Sequence, residues 1–377
     1  MRSVTDAPKV RAPNSAYQSL ERSCRPIGRA VFGDSPCQPE SPPPCHRRFL
    51  GPVLGLGIQL TCALASSAAE DSSTVELTTL ADRVRVEIDG ALFTEYIFTG
   101  AMRPYLYPIV LADGTRLTRD FPMRETPGED RDHPHHRSLW FSHSRMNGFD
   151  CWNEGTAGGP KPKGSIVHEA LLEATSGPVG TIRARSRWVA PDGSVPCTDE
   201  TTIRFRPAPD GGRLLDYEVT LHAPAEAALL IGDNKDGTMA IRIAQWLTLP
   251  HKIAGKDIPG EGHIVLSTGV RDQEAWGKRA DWCDTFAAHA GRIYGLAIFD
   301  HPQNLRHPTW WMARDYGLVA ANPFGQHDFE KLADQHAGDF TVPAGASLTL
   351  RYRFYFHRGD TATAKVAEQY RAYIAAP

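Results

Sequence analysis

The sequence predicts an all-β protein, a large antiparallel β-sandwich with one helix at its C-terminal end. Three observations lead there. From Ser73 onward, short β-branched or aromatic runs follow one another, and turn pairs such as Asp89-Gly90, Asp113-Gly114, Asp192-Gly193 and Gly211-Gly212 divide them. Only residues 361–375, rich in Ala, Glu, Lys and Arg and free of Gly and Pro, read as a confident helix.

Residues 75–80, 84–88 and 92–98 are the first expected strands. Residues 181–189, 201–205, 214–222 and 239–243 follow, then 263–266, 293–299 and 348–356. Within residues 183–187 arginines alternate with small residues, as on an exposed strand face. Asp360 stands where a cap for the terminal helix is needed. No internal repeat and no linker divides residues 70–377, so they are expected as a single domain.

The preceding residues have another character. Residues 1–45 are rich in Pro, Ser and Arg and lack the periodicity of a packed segment. Arg47-Arg48 then precede an apolar stretch, residues 49–65, with small residues continuing to Ala69. A positive flank, a short apolar segment and Ala63-Leu64-Ala65 read as a secretory signal peptide. Residues 1–69 are therefore expected to be a disordered extension plus signal, and the protein periplasmic or secreted. It meets the membrane only if that segment stays uncleaved.

Removing residues 1–69 takes eight Lys/Arg and four Asp/Glu from totals of 41 and 44, and moves the formal charge from −3 to −7. Phosphate backbones need a concentrated excess of Lys and Arg, so nucleic acid is excluded as a partner. Cys151, Cys197 and Cys283 remain, room for one bridge but not for a disulfide framework.

The chemistry gathers in two windows that hold seven of the fifteen histidines. The first runs Asp132-His133-Pro134-His135-His136-Arg137-Ser138-Leu139-Trp140-Phe141-Ser142-His143, then Asn147 to Trp152 with Asp150. The second holds His301, His307, Trp310, Trp311, Arg314, Asp315, Tyr316 and His327. Pro134 biases His133 toward extended backbone, which makes residues 133–136 a loop. If residues 137–143 form a strand, Leu139, Phe141 and His143 share the inward face, and His136, Trp140 and Ser142 the other. Imidazole serves as acid, base or metal ligand near neutral pH. Trp and Tyr faces flanked by Arg, Asp, Asn and His suit a sugar, whose C–H faces stack while its hydroxyls take polar partners. Trp188 and Trp246, on strand-like runs, read instead as core filling. Residues 232–237, Gly-Asp-Asn-Lys-Asp-Gly, read as a turn that could bring Asp233, Lys235 or Asp236 to the site.

The runs RPYLYPI, LTRDFP, DHPHHRSLWFSH, NGFDCW, FDHPQNLRHPTWWMARDYGL and ANPFG, spread over residues 75–357, resemble a family of secreted bacterial proteins labelled PmoA. The resemblance implies bacteria that degrade complex polysaccharides, and a shape similar to the galactose mutarotase-like supersandwich. The label borrows the name of a methane oxygenase subunit, yet no apolar run after residue 69 could supply that enzyme's membrane spans.

The leading expectation is an exported carbohydrate-active protein, an epimerase, lyase or hydrolase acting on a small sugar or oligosaccharide. His136 or His143 is the expected acid/base, oriented by Asp150 or Asp315. Arg103, Arg137 and Arg314 are expected to hold an anionic or keto oxygen, and Trp140 or Trp311 to stack on the ring. Tyr105, His133, His135, Asn147, Trp152, Lys235 and His307 complete the expected binding surface. One alternative is a glycan-binding protein without turnover. Another is a metal-dependent oxygenase drawing Cu or Fe ligands from His133, His135, His136, His143 and His307. The sequence names no cofactor.

Overall fold

The computed structural model describes residues 74–154 and 163–375. The expectations for residues 1–69 lie outside the described residues. The chain begins with β1 (Val75–Thr79), β2 (Arg83–Ile88), β3 (Ala91–Ile97), β4 (Tyr105–Leu106) and β5 (Leu139–His143). A meander of long strands follows: β6 (Ser165–Thr175), β7 (Gly180–Val189), β8 (Cys197–Pro207) and β9 (Arg213–His222). Next come β10 (Leu229–Ile231), β11 (Gly237–Arg242), and a ribbon of β12 (His251–Ile253) with β13 (Lys256–Ile258). Then follow β14 (His263–Leu266), β15 (Trp282–His289), β16 (Arg292–Asp300), β17 (Trp310–Ala313) and β18 (Leu318–Asn322). Helix α1 (Gln326–Glu330), β19 (Phe340–Val342), β20 (Ser347–Arg358) and helix α2 (Val366–Ala375) end the chain.

These strands form two eight-stranded antiparallel sheets. The first has the order β1-β2-β3-β4-β5-β11-β18-β17, the second β14-β15-β16-β20-β9-β8-β7-β6. The expected all-β sandwich with a C-terminal helix is what the chain forms. Alternation builds the core, because every second residue of a strand faces the opposite sheet. Val84, Val86, Ile88 and Phe93 of the first sheet meet Ile203, Phe205, Leu215, Phe354 and Phe356 of the second in one buried cluster. Phe93 sits edge-on between Phe205 and Phe356, at 6.0 and 5.7 Å.

The two outer faces differ. On the second sheet, α2 covers Ala297, Phe299 and Tyr355 with Val366, Tyr370 and Tyr373. It begins later than the expected 361, because Lys365 takes a left-handed φ of +53°. Asp360 still accepts from the Thr363 N–H at 2.8 Å. The first sheet's outer face instead carries Trp140, Trp152, Ala240, Trp310, Met312 and Ala320. That face, covered by loops and not by a helix, positions the site.

The long β6 and β15, the buried β17 and β18, and the short β4, β10, β12, β13 and β19 were not among the expected strands. β17 and β18 lie wholly buried, with no polar alternation to mark them. Cys151, Cys197 and Cys283 are buried free thiols.

One buried acid gives a pH test. Asp199, between the sheets, accepts from Trp188 Nε1 at 2.8 Å and Thr201 Oγ1 at 3.0 Å. Burial pushes its carboxyl up to about 7 against those two hydrogen bonds. A raised folded-state pKa gives stability that is full below about 4 and is lost as pH rises toward 7. Asp199→Asn should therefore match the parent near pH 4 in urea unfolding and exceed it by a few kcal/mol above pH 7. Equal curves at both pH values would show that Asp199 ionises without cost.

Candidate functional site

Across the outer face of the first sheet, Trp140 of β5 is paired with Ala240 of β11, Ala240 with Ala320 of β18, and Ala320 with Met312 of β17. Two alanines in that row keep its middle low between larger neighbours. Over this face lies a cavity of about 290 Å³ lined by His133, His135, His136, Trp152, Asn153, Lys235, Asp236, Met312, Arg314 and Tyr316.

The three histidines arrive on one loop. His133 has a φ of +44°, and Ser138, just before β5, +55°. Such values are uncommon outside glycine and cluster where surrounding contacts over-determine the backbone. The extended conformation expected for His133 is therefore not adopted. Its carbonyl is turned to accept from the His136 N–H at 3.0 Å and from Arg119 Nη2 at 3.0 Å. Farther along the loop, the fully buried Arg103 donates to the carbonyls of His135 and Cys151. Arg103 thus ties the histidine loop to the Trp152 segment and lies over the Trp140 ring at 5.4 Å.

Beneath the loop sits a carboxylate shared by three groups. Asp132 Oδ1 accepts from Arg119 Nη1 at 2.5 Å and Arg242 Nη2 at 2.7 Å, while Oδ2 meets His133 Nδ1. Burial alone would raise this acid, but the His133 hydrogen bond and the Arg242 and Arg119 charges hold it well below the usual carboxylate range. An ionised carboxylate only accepts, so His133 Nδ1 carries the proton and, in the neutral ring, Nε2 has a free lone pair.

His136 has the opposite tautomer. Arg242 Nη1 donates to its Nδ1 at 3.2 Å, and a guanidinium cannot accept. The neutral ring's proton is then on Nε2. Burial first, then the neighbouring His135 and Arg242, hold His136 well below its ordinary pKa. His135 falls to about 3, again mainly through burial and beside that through Arg103. His136 and His135 are therefore uncharged near neutrality.

The rings pack face to face. His133 and His136 stack at 4.7 Å and 4°, His133 and Tyr316 at 5.1 Å and 7°. Trp140 closes the far side of His136 at 5.4 Å. Arg242 and Arg314 lie over the Tyr316 ring at 4.6 and 5.3 Å.

Of the residues singled out from the sequence, His133, His135, His136, Trp152, Lys235 and Arg314 meet in the cavity, with Trp140 and Arg103 behind them. Others are occupied elsewhere. His143 is inward as the alternation requires, but inward is the core face, opposite His136 and Trp140. There its Nε2 donates to the Gly232 carbonyl at 2.7 Å, and the ring stands edge-on to Phe324. Asp150 is buried, and its two oxygens receive the Trp152 and Asn153 N–H groups, Asn153 Nδ2 and Lys163 Nζ. It shapes the Trp152 turn and has no oxygen left for a histidine. Asp315 caps the Tyr316 N–H and lines a neighbouring cavity of about 600 Å³ that shares Arg314 and Tyr316.

Arg137 is held by Glu154 at 2.8 and 3.0 Å and lies over Tyr105. His307 is taken by Asp300 at 2.8 Å, Asn147 by the Leu230 N–H, and Trp311 by the core and the Ala280 carbonyl. Sequence reasoning missed Arg242, which sets the His136 tautomer, and Arg119, which with Arg242 holds the Asp132 carboxylate that sets the His133 tautomer. Arg242 had a signal: it interrupts an otherwise apolar run, Met239–Ile243, where a lone charge must be paired.

Among the described residues, no group of three or more His, Cys, Asp or Glu is placed to hold a metal ion. His133 keeps Nε2 open with Nδ1 on a carboxylate, but no second and third ligand converge on it among the described residues. A larger cavity, about 770 Å³, contains Trp246, which stacks on His289 at 4.3 Å. Three of its four carboxylates are already engaged, Asp113 by Tyr294 and Arg358, Asp120 by Tyr107, Arg116 and Arg124, and Glu129 by two backbone N–H groups.

Residues 83–371 match the model of a family of unknown function, DUF6807, and the chain belongs to that family. This match, and not the PmoA label, is what the comparison supports. No curated protein matches the chain. Among solved structures it is similar to a GalM/aldose epimerase homologue from C. elegans, at 11% identity and a TM-score of 0.29, covering 76% of this chain and 100% of that one. It is also similar to a polysaccharide lyase, at 11% identity and a TM-score of 0.27, covering 76% of this chain and 33% of the lyase. The chain thus spans about a third of that lyase.

Proposed function

We propose that this chain is an exported carbohydrate-active enzyme that moves protons at a sugar held against the histidine loop, in an epimerisation or an elimination. The observation that carries the reading is the pair of opposite tautomers on stacked rings. His133 offers a lone pair at Nε2, so it can take a proton, with Asp132 orienting it and stabilising the imidazolium that forms. His136 offers an N–H from a ring that stays neutral. That N–H hydrogen-bonds the oxygen on which charge develops as the proton leaves. Trp152, buried against Trp140 and His136, forms part of the wall of the cavity that holds the sugar.

Hydrolysis fits less well. Most glycosidases use two carboxyl groups across the scissile bond, and the cavity lining has one, Asp236. Export rests on the positive and apolar character of residues 47–69.

The test incubates the full chain with neutral and acidic oligosaccharides in D₂O and follows them by NMR. The reading expects a ring C–H signal to disappear by exchange, or a new alkene signal to appear. Saturation transfer to a saccharide whose covalent structure never changes would instead make this a glycan-binding protein.

A further inference from the structure

Charge in the cavity is uneven. Behind the histidines, Asp132 is already shared by Arg119, Arg242 and His133. In front, Arg314 and Lys235 face one carboxylate, Asp236, which Lys235 Nζ reaches only at 3.5 Å. The half-buried Arg314 guanidinium makes neither a hydrogen bond nor an ion pair with any described residue, and its partner is the Tyr316 ring. An unpaired guanidinium at the junction of two cavities is notable in a chain of formal charge −3. A planar, five-donor fork seated over an aromatic ring and otherwise unpaired is suited to receive a planar anion through two hydrogen bonds.

We infer that the ligand is an acidic sugar whose carboxylate is bound by Arg314, in a cavity that Lys235 also lines. This rests on the reading of the cavity as a saccharide site. A monoanion is favoured over a phosphate dianion, because Asp236 beside Lys235 and Asp315 next to Arg314 already bring negative charge. Arg314 and Tyr316 also line the adjoining cavity of about 600 Å³, so the acidic unit sits between the histidines and a second sugar. The arrangement also suits the chemistry: neutralising a carboxylate makes the proton on the carbon beside it easier to remove.

The experiment titrates the full chain with disaccharides ending in glucuronate, galacturonate or mannuronate, each beside its carboxyl-reduced counterpart and a sulfated neutral disaccharide. At least one acid should bind about ten- to a hundredfold tighter than its reduced form. Arg314→Gln should erase that difference without weakening the reduced form, and Arg314→Lys should restore part of it. Equal binding of acid and reduced forms, or preference for the sulfated sugar, would overturn the carboxylate while leaving the saccharide site standing. Binding of none of them would count against both.

Discussion

His133→Asn lowers turnover of the processed saccharide by about 10²- to 10⁴-fold, the range expected for loss of a positioned proton acceptor. Asparagine suits this position, since it tolerates the left-handed backbone that His133 adopts. The His133 ring is also 41% exposed, so its removal leaves folding nearly unchanged. Binding of the sugar should persist, because Trp152, Arg314 and Lys235 remain. A variant with full turnover would remove His133 from the chemistry, and one that no longer melts cooperatively would give the residue a structural role. His143→Ala should behave in the reverse way, costing stability while sparing the cavity, since that ring is buried on the core face.

Arg242→Met produces the largest loss of stability, about 3 to 5 kcal/mol in urea unfolding. Arg242 is 1% exposed and supports two groups at once, Asp132 Oδ1 and His136 Nδ1. Methionine fills the volume but leaves Asp132 with one guanidinium fewer in a place water barely reaches. The His136 ring also loses the donor that fixes its tautomer. Arg242→Lys should recover only part of the stability, because an ammonium on a flexible stem cannot repeat the two-pronged contact. An unfolding midpoint unchanged in Arg242→Met would show that Arg119 suffices to hold Asp132.

The fold was legible because alternation is written into the strands. Leu139, Phe141 and His143 were assigned to one face and Trp140 to the other, and the sheet keeps that division. The wholly buried β17 and β18 hid because no polar face alternates there. The site was half legible. A dense run such as His133-Pro134-His135-His136 announces itself, whereas the residues that decide its chemistry are distant in sequence. Arg119 and Arg242 reach Asp132, and Tyr316 reaches His133, only through long-range packing. His143 and Asp150 were drawn in by proximity to the motif. Local spacing could not reveal that one is sealed behind the sheet and the other spent on the turn at Trp152.

The most direct measurement is the tautomeric state of the loop histidines in the full chain, by long-range ¹H–¹⁵N correlation on ¹⁵N-histidine-labelled protein between pH 5 and 8. The account predicts His133 with its proton on Nδ1, and His136 with its proton on Nε2 and neutral throughout. His136 charged at the acid end, or both rings in one tautomer, would contradict the pairing of acceptor and donor on which the proposed chemistry depends.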